Sequence, residues 1–530
     1  MPDNFTGKKS YIKQVTLSLL LFVCGVCILY PFCRYYVDPD GAAYLVIIKR
    51  YADGDFVTAA NGLWSPFHCW LSALLVKLSG MGCFDAALAV NCAGGLSVIM
   101  LSQHIFNRFR SGRTEQWCMA LFSGIYWAYA MYWQLLCDVL GVAFLLSGIL
   151  VLLKEDFFEK RKYWILFGIL NAFAYLSKTY SFYFINLLLL IILGLSIRRK
   201  EIRPAKALSL YLTNLFIILI IASPWIWLLH EKYHIWTLSL AGKLNMDWLL
   251  VGTQIFRDDI KVLVPPPFPG SVVYMEDPYW VQGGWHHLWD SPKLFFRFFL
   301  RIAFNFTEWT EEINHLSYFY GITWLTTFLL LLSRKRDEVL DRKDKLMALI
   351  LLVFPVGLWL LHIEARYLWL TLPVAIILGL KYFERFLFPY LSGYWKHFFI
   401  AFYFLSFLPG AAADVRTMVN TGKAEYQVAQ KLKELDIKGA FACNKASASG
   451  MLSSVIRLAY FSDCPFYYYP YAVWSTGQII EDAKRYHVKY YFYFYTNPDD
   501  GYVLTGKDGV PFPELTGGRI EGLKVFRLEN

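Results

Sequence analysis

The stretch Tyr35-Tyr36-Val37-Asp38-Pro39-Asp40-Gly41-Ala42-Ala43-Tyr44 directly follows the first long apolar run of the chain, near residues 14–33. It places two carboxylates where a membrane helix would reach the surface. Two acids separated by a proline are an unusual way to end a helix, and ionisable groups beside a membrane span often serve a function. The stretch therefore predicts a membrane helix followed by chemistry at the membrane face.

The composition is typical of a polytopic membrane protein. Of the 530 residues, 57% are hydrophobic, 18% aromatic and only 17% charged, and the mean hydropathy is +0.39. The apolar residues occur in blocks close to the ~20 residues that cross ~30 Å of hydrocarbon. The net charge of +10 could suggest nucleic acid. The lysines and arginines, however, cluster between the apolar blocks and are typical of topology signals, which disfavours nucleic-acid binding.

The basic segments alternate with the apolar blocks and predict a topology. The amino end, with Lys8, Lys9 and Lys13, and the connections 107–113, 154–162, 198–206 and 333–345 are expected in the cytoplasm. About eleven crossings follow, near residues 14–33, 84–106, 116–133, 138–153, 163–176, 180–197, 207–229, 316–332, 346–361, 367–388 and 398–414. The carboxyl end then lies outside. We expect the first run to be a retained span and not a cleaved signal peptide.

Three outward segments are long: 34–83, 230–315 and a tail of residues 415–530. In the first, the apolar run that starts at Ser65-Pro66 and ends at Leu78 is too short to cross and predicts an interfacial helix. In the second, aromatic residues between 274 and 289 predict a lid, a sugar-stacking surface or an interfacial aromatic belt. The triplet Asn305-Phe306-Thr307 is a glycosylation sequon by letter only.

The tail differs in character from the membrane domain of residues 1–414. Segments 423–435 and 476–486 have helical periodicity, and 439–443 and 488–495 are strand-like. A small soluble α/β domain outside the membrane is therefore expected. Its cysteines, Cys443 and Cys464, could pair in an oxidising compartment or remain free buried thiols.

Two outer junctions between predicted spans carry charge. Leu176-Ser177-Lys178-Thr179 leaves a lysine between two apolar stretches, and His362-Ile363-Glu364-Ala365-Arg366-Tyr367 puts two basic groups and one carboxylate on a short turn. Charge near a bilayer is costly, so a partner is expected. Lys178 could snorkel, and Arg366 could pair with Glu364. Alternatively, Arg366 offers a planar fork for phosphate oxygens and Lys178 a compact charge.

These cations share one predicted face with Asp38 and Asp40, and together the four groups indicate a reaction. The cations would hold an anionic phosphate attached to a lipid, while a carboxylate deprotonates an incoming hydroxyl. Sugar transfer from a polyprenyl-phosphate carrier fits these roles.

Four sequence features follow one another along the chain, and all of them lie on the predicted outer side. They are Asp40 four residues before Tyr44, the Trp64-Ser65-Pro66 start of the interfacial helix, the Ser177-Lys178-Thr179 junction, and Glu364-Ala365-Arg366-Tyr367 followed by Pro373. In them, the chain from the first span to about residue 388 resembles the GT-C superfamily of membrane glycosyltransferases. It is most similar to bacterial relatives of the protein mannosyltransferases and of the lipid A aminoarabinose transferase.

The resemblance implies a GT-C-like, α-helical, multi-pass enzyme of the bacterial plasma membrane. It implies inverting transfer of a sugar from a polyprenyl-phosphate-linked donor to a lipid, glycan or protein acceptor on the outer side. Asp40 matches the catalytic acid of the family's first outer loop, with Asp38 as a neighbour that shares the role, and Lys178 and Arg366 match positions near the carrier phosphate. Further substrate-binding candidates are His362, Glu364, Tyr367, Tyr44, His68, Glu276 and Asp277.

One departure from the family concerns a second acid. The aminoarabinose transferases have a Glu-Lys pair where this chain has Trp64-Ser65, so Glu276 or Asp277 is a candidate replacement. Some family members use a divalent cation, which leaves open a role for Mg²⁺ or Mn²⁺ held by Asp38 and Asp40. Two acids alone, however, rarely complete an oxygen-ligand site.

Three other functions are compatible with a membrane protein of this size. A transporter or flippase would have ionisable residues at mid-membrane and related halves, and neither is evident in the sequence. An O-antigen-type ligase or polymerase would have its key residues in a late outer loop. A non-enzymatic subunit that binds the carrier lipid would bind the donor without turnover.

Overall fold

The computed structural model of the chain describes residues 3–110, 112–133, 135–251, 263–273, 276–277, 286–334, 336–445, 451–468, 476–497, 500–506 and 509–528. These residues form a large helical bundle, followed by a small three-stranded sheet with helices. Among the aromatic residues of the predicted lid, Tyr274, Tyr279, Trp280 and Trp285 lie outside the described residues.

The helices follow the apolar blocks of the sequence. The first eleven are α1 (Asp3–Cys33), α2 (Pro39–Asp53), α3 (Phe56–Ala59), α4 (Pro66–Ser79), α5 (Cys83–Phe109), α6 (Arg113–Ala130), α7 (Asp138–Leu152), α8 (Arg161–Ser177), α9 (Tyr180–Arg198), α10 (Pro204–Tyr233) and α11 (Ala241–Val251). The others are α12 (Pro292–Leu316), α13 (Tyr318–Leu332), α14 (Arg336–Val339), α15 (Arg342–Val353), α16 (Val356–Trp359), α17 (Thr371–Phe386), α18 (Gly393–Leu405), α19 (Leu408–Met418), α20 (Lys423–Glu434), α21 (Met451–Ser462) and α22 (Thr476–Arg485). Short 3₁₀-helices occupy Ala365–Leu368 and Phe388–Tyr390.

Helices run through every predicted span. In the described part of the chain, five helical segments are long and apolar enough to cross a membrane: Ser10–Cys33, Cys83–Phe109, Tyr180–Arg198, Pro204–Tyr233 and Gly393–Glu434. The last of these contains three consecutive helices, and α7 and α13 are apolar but shorter. The helical, apolar architecture agrees with the sequence analysis, whereas the number of eleven crossings remains a prediction.

The ninth predicted span, 346–361, is interrupted near its outer end. Helix α15 ends at Val353, and Pro355 precedes the single turn of α16. Proline has no N–H for the helical hydrogen bond and clashes with the preceding turn, so a continuous helix cannot pass through it. The break lets the chain turn into the segment that carries Glu364 and Arg366.

The first outward segment is more helical than the sequence interpretation allowed. Asp38 caps α2, Pro39 occupies its first position, and Gly54 ends it with φ of 88°. This is the usual arrangement of a carboxylate cap, an N-terminal proline and a left-handed glycine. The predicted interfacial helix is present as α4, which begins at Pro66.

A long amphipathic helix, α12, lies within the predicted outward connection 230–315. Ser291 caps its start by accepting a hydrogen bond from Leu294 N, and Pro292 is its first residue. Asn305 and Trp309 are on its buried face, while Phe296 and Phe299 are exposed. The sequence interpretation placed these residues in the long connection 230–315 and predicted no helix there.

The tail contains the predicted mixture of helices and strands. The segments 423–435, 439–443, 476–486 and 488–495 coincide with α20, β1 (Phe441–Cys443), α22 and β2 (Tyr490–Phe494). Strand β1 pairs with β2 in parallel, and β2 pairs antiparallel with β3 (Leu523–Arg527). Cys443 and Cys464 are buried free thiols. The boundary after residue 414 and the location of the tail outside the membrane remain predictions.

The tail also contacts both other outward segments. Lys49 of α2 is 3.5 Å from Asp463, and Val264 and Tyr468 exchange two backbone hydrogen bonds of 2.8 and 2.9 Å. The three long segments that are predicted to lie outside therefore meet on one side of the helical bundle.

Candidate active site

Asp38 and Asp40 lie at the amino-terminal end of α2. The Oδ1 atom of Asp38 accepts a hydrogen bond of 3.1 Å from Gly41 N. Asp40 occupies the first turn, where the helix dipole favours a carboxylate. Pro39 has the fixed φ that suits the first helical position. The proline between the acids therefore starts the helix and keeps both carboxylates at one end.

Arg366 is a buried cation that faces these acids. It lies in the 3₁₀-helix Ala365–Leu368, and only 3% of its side chain is exposed. Its Nη2 is 3.5 Å from Asp40 Oδ2. Its Nε is 3.0 Å from Glu364 Oε2 and 4.0 Å from Asp138 Oδ2. The ion pair with Glu364 that the sequence suggested is present, but it is one part of a larger cluster.

One terminal nitrogen of this guanidinium, Nη1, lacks a hydrogen-bond acceptor among the described residues. Arg366 Nη2 donates a hydrogen bond of 3.0 Å to Glu364 Oε1. The buried Nη1 donates none to any residue that the structure describes. A buried donor without an acceptor costs about 1–3 kcal/mol. Because guanidinium forks suit phosphate oxygens, the Nη1 edge is a place where an anionic ligand can bind.

Lys178 is the second cation of the cluster. It is the C-cap of α8, and its Nζ is 2.8 Å from Asp138 Oδ1. The same Nζ is 4.2 Å from the centre of the Tyr367 ring. Burial lowers the pKa of Lys178, but Asp138, Tyr367 and Cys137 together outweigh burial and raise it. The lysine is therefore a permanent cation.

Asp138 is the residue that the sequence interpretation missed. It is the first residue of α7 and only 7% of its side chain is exposed, yet it contacts both Lys178 and Arg366. A signal was present, because Asp138 opens the predicted span 138–153 at the same outer level as Lys178. A charged side chain at this position, like the one at Lys178, should have been expected to have a partner.

Burial and neighbouring charges perturb the acids. Burial, and then the Asp40 carboxylate, raise the pKa of Asp38 to about 7. Burial also raises the pKa of Asp40, although Arg366 opposes that shift. For Glu364 burial is outweighed by Arg366 and His362, which hold the pKa of this carboxyl well below its usual range. Glu364 is thus a permanent anion, whereas Asp38 and Asp40 exchange protons closer to neutral pH than ordinary aspartates do.

His362 and Tyr367 surround Glu364. His362 Nε2 lies 3.1 Å from Glu364 Oε1, and the Tyr367 hydroxyl donates a hydrogen bond of 3.2 Å to the same oxygen. Both residues therefore belong to the cluster, where they fix Glu364 and, through it, Arg366.

Tyr44 and His68 support the cluster from inside the protein. The Tyr44 hydroxyl is 3.0 Å from Cys137 Sγ, and its ring is 5.4 Å from Trp64 and 5.8 Å from His68 between ring centres. His68 is fully buried, and burial lowers its pKa to about 4. The structure places His68 behind Tyr44 and not among the charged groups. It supports α2 and is a poor candidate for substrate contact.

The start of the interfacial helix is tied to the Lys178 junction. Ser65 Oγ accepts a hydrogen bond of 3.0 Å from Thr179 N and lies 3.1 Å from Thr179 Oγ1. Ser65 therefore ties the start of α4 to the residue that follows Lys178.

The structure does not bring Glu276 and Asp277 to the cluster. Glu276 Oε2 is 3.1 Å from Arg50 Nη2, and Asp277 Oδ2 is 2.7 Å from Lys232 Nζ. Arg50 lies in the last turn of α2, and about 15 Å of helix separates it from Asp40. Both acids are buried in ion pairs that anchor the large outward segment. The suggested replacement acid is thus corrected: the additional acid in the cluster is Asp138.

Helix α12 holds the turn that leads to Arg366. Asn305 is fully buried, and its Nδ2 donates hydrogen bonds of 2.9 and 3.0 Å to the carbonyl oxygens of Trp359 and Leu361. Trp359 ends α16, and Leu361 directly precedes His362. The amide that would carry a glycan therefore points into the protein.

The side chains of this cluster are not suited to bind a divalent cation. In the described ranges, no group of three or more His, Cys, Asp or Glu side chains could hold a metal ion. Asp40 and Asp138 instead face Arg366 and Lys178, whose charges repel a cation.

Comparisons with known proteins relate part of the chain to a sequence family and the whole chain to a fold. Residues 64–227 match the sequence profile of a family described as dolichyl-phosphate-mannose-protein mannosyltransferase. This region, less than half of the chain, includes Asp138 and Lys178. No curated protein matches the chain by sequence.

Two solved structures share the fold over nearly the whole chain. Apo ArnT from Cupriavidus metallidurans superposes with a TM-score of 0.53 at 13% identity, covering 98% of this chain and 97% of that one. The apo oligosaccharyltransferase from Archaeoglobus fulgidus superposes with a TM-score of 0.51 at 12% identity, covering 93% of this chain and 70% of that one. The resemblance to GT-C membrane glycosyltransferases is confirmed at the level of the fold.

Proposed function

We propose that this chain is an integral membrane glycosyltransferase that moves a sugar from a polyprenyl-phosphate-linked donor to a hydroxyl-bearing acceptor. The observation that carries the proposal is the environment of Arg366. Its buried guanidinium lies beside Asp40, and its Nη1 edge is left for a phosphate oxygen. The family profile supports the donor class, because its description names a dolichyl-phosphate sugar.

In this proposal Arg366 and Lys178 bind the donor phosphate. Glu364 and Asp138 contact these cations and hold them in place. When the bond between the anomeric carbon and the phosphate oxygen breaks, that oxygen gains negative charge. Preorganised cations stabilise this charge more in the transition state than in the bound donor, which lowers the barrier.

Asp40 is the proposed general base. It accepts the proton of the acceptor hydroxyl while the hydroxyl oxygen bonds to the anomeric carbon and polyprenyl phosphate leaves from the opposite face. The configuration at that carbon is therefore inverted. Burial raises the pKa of Asp40, and a base is more effective when its pKa is closer to the working pH.

Asp38 is proposed to adjust the charge of the cluster. With its pKa raised to about 7, it holds a proton for part of the time near neutral pH. A protonated Asp38 relieves repulsion between the acids and the incoming phosphate. It also leaves Asp40 as the carboxylate that contacts Arg366.

The cluster is proposed to face the exterior of a bacterial plasma membrane, with the amino end in the cytoplasm and the tail outside. The arrangement of the helices supports this orientation. Asp138 and Lys178 lie at one end of α7 and α8, whereas the basic connection 154–162 lies at the other end of both. The positive-inside rule places that connection in the cytoplasm.

The experiment is transfer by purified, membrane-reconstituted Asp40→Asn, measured as release of polyprenyl phosphate from a polyprenyl-phosphate sugar. We expect a loss of about 10²–10⁴-fold in turnover, as for removal of a general base. Asp463→Asn is the matched control, because Asp463 is an exposed acid on the same side of the bundle. Full turnover by folded Asp40→Asn would overturn the assignment of the base.

A further inference from the structure

A cavity lies at the ends of the helices that are remote from the cluster. Helix α7 runs from Asp138 to Leu152, and α9 begins two residues after Lys178 and ends at Arg198. At 1.5 Å per residue these helices separate the cavity from the cluster by about 20–27 Å. The cavity has a volume of about 170 Å³ and lies among the ends of α7 and α9 and the start of α15.

The apolar residues that line the cavity are called its floor, and most of them are buried or half-buried. They include Phe157 and Leu195 together with Leu346 and Leu349 of α15. Leu195 is 41% exposed, so the floor continues onto the outer surface of α9. Helix α9 is one of the segments long and apolar enough to cross a membrane. A hydrocarbon chain lying along α9 would therefore reach this floor directly.

The charged residues that line the cavity are called its rim; most of them are exposed, and the majority are basic. Five are lysines or arginines, and two are glutamates. Arg342 is paired with Glu201 at 3.2 Å, and Lys345 is paired with Asp337 outside the cavity. The remaining three, Lys154, Arg199 and Lys343, form no ion pair with the residues that the structure describes.

We infer that this cavity binds an anionic phospholipid of the leaflet opposite the cluster. Its phosphate would lie against Lys154, Arg199 and Lys343, and one acyl chain would lie on the floor formed by Phe157 and Leu195. The positive-inside rule explains basic residues at this level, but not their arrangement over an apolar recess. An amphipathic ligand matches both surfaces, because phosphate suits the rim and hydrocarbon suits the floor. This inference does not depend on the proposed transferase activity.

Binding can be measured by native mass spectrometry of the detergent-purified full chain titrated with palmitoyl-oleoyl phosphatidylglycerol. The test variant carries Lys154→Gln, Arg199→Gln and Lys343→Gln. The matched control carries Arg108→Gln, Arg113→Gln and Lys162→Gln, which remove the same charge from exposed positions of the same predicted face without touching the cavity. We expect the test variant to bind the lipid at least roughly tenfold more weakly than the control, since each basic residue near a headgroup attracts anionic lipid.

Two further experiments distinguish binding of a phospholipid from binding of free phosphate. Leu195→Trp fills the floor without changing charge, and it is expected to weaken lipid binding while the fold is kept. Inorganic phosphate at a hundredfold excess is expected to leave the lipid bound.

Three results would overturn the inference. They are equal binding by the test variant and the wild type, equal losses in the test and control variants, and displacement of the lipid by inorganic phosphate. The second result would show that the lipid is attracted non-specifically by all basic residues of that face. The third result would show that the cavity binds free phosphate.

Discussion

Lys178 Nζ and Asp138 Oδ1 lie 2.8 Å apart, although Asp138 begins α7 and Lys178 follows the end of α8. This pair joins the start of α7 to the junction of α8 and α9. Through Asp138 Oδ2, 4.0 Å from Arg366 Nε, it extends to the turn before α17. One carboxylate therefore aligns both cations that are proposed to hold the donor phosphate.

The first prediction concerns this pair. Lys178→Gln and Asp138→Asn should each lower the free energy of unfolding by about 1–3 kcal/mol, because each leaves a charged group without its partner. The double variant should lose less than the sum of the two. Thermal unfolding in detergent gives the stabilities, and additive losses would show that the pair contributes nothing of its own.

The second prediction uses the shape of Arg366. Arg366→Lys keeps a positive charge among Asp40, Glu364 and Asp138 but removes the planar fork. We expect the KM for the lipid-linked donor to rise by about tenfold, the value of one charge-assisted hydrogen bond, with a smaller change in melting temperature than for Arg366→Ala. Arg366→Ala leaves buried carboxylates unpaired, so it should also reduce stability. An unchanged donor KM in Arg366→Lys would mean that the guanidinium is a purely structural partner of Glu364.

The third prediction is a pH dependence of stability. The pKa of Asp38 is raised in the folded protein to about 7, so the folded state binds more protons than the unfolded chain. The Asp38 contribution to stability therefore falls as the pH rises toward and through that value. Asp38→Asn keeps a good helix cap but cannot ionise. Its melting temperature relative to wild type should increase by a few degrees between pH 5 and pH 8, and a constant difference would contradict the raised pKa.

The fourth prediction distinguishes a structural role of Asn305 from a role as a glycosylation site. Asn305→Ala removes two hydrogen bonds to the turn that leads to Arg366, so it should lower stability by about 1–3 kcal/mol and turnover with it. Thr307→Ala destroys the same sequon at an exposed position and should change neither. Expression in a host that glycosylates sequons should give no glycan at Asn305. A glycosylated, folded protein would contradict the inward orientation of its amide.

The sequence predicted the helices and the four charged residues at the centre of the predicted site for a physical reason. Apolar blocks of the length of a bilayer specify helices whatever their neighbours, and charge at a span end is costly enough to be conspicuous. Asp40, Lys178, Glu364 and Arg366 were found in this way. The same argument, applied to the start of the span at 138, would have found Asp138.

The errors arose where a residue's role depends on contacts remote in sequence. Glu276 looked available because its partner, Arg50, is more than two hundred positions away. His68 looked polar and near the site, but the packing of Tyr44 buries it. Helix α12 was missed because its residues were placed in the long connection 230–315, and only its contacts with the turn after α16 show which face is buried.

The most direct measurement is a cryo-EM map of the full chain with polyprenyl phosphate bound. The account predicts the phosphate within hydrogen-bond distance of Arg366 Nη1 and Lys178 Nζ, with the Asp40 carboxylate facing the same cavity. A phosphate bound away from both cations, with Arg366 still enclosed by Asp40, Glu364 and Asp138, would contradict it.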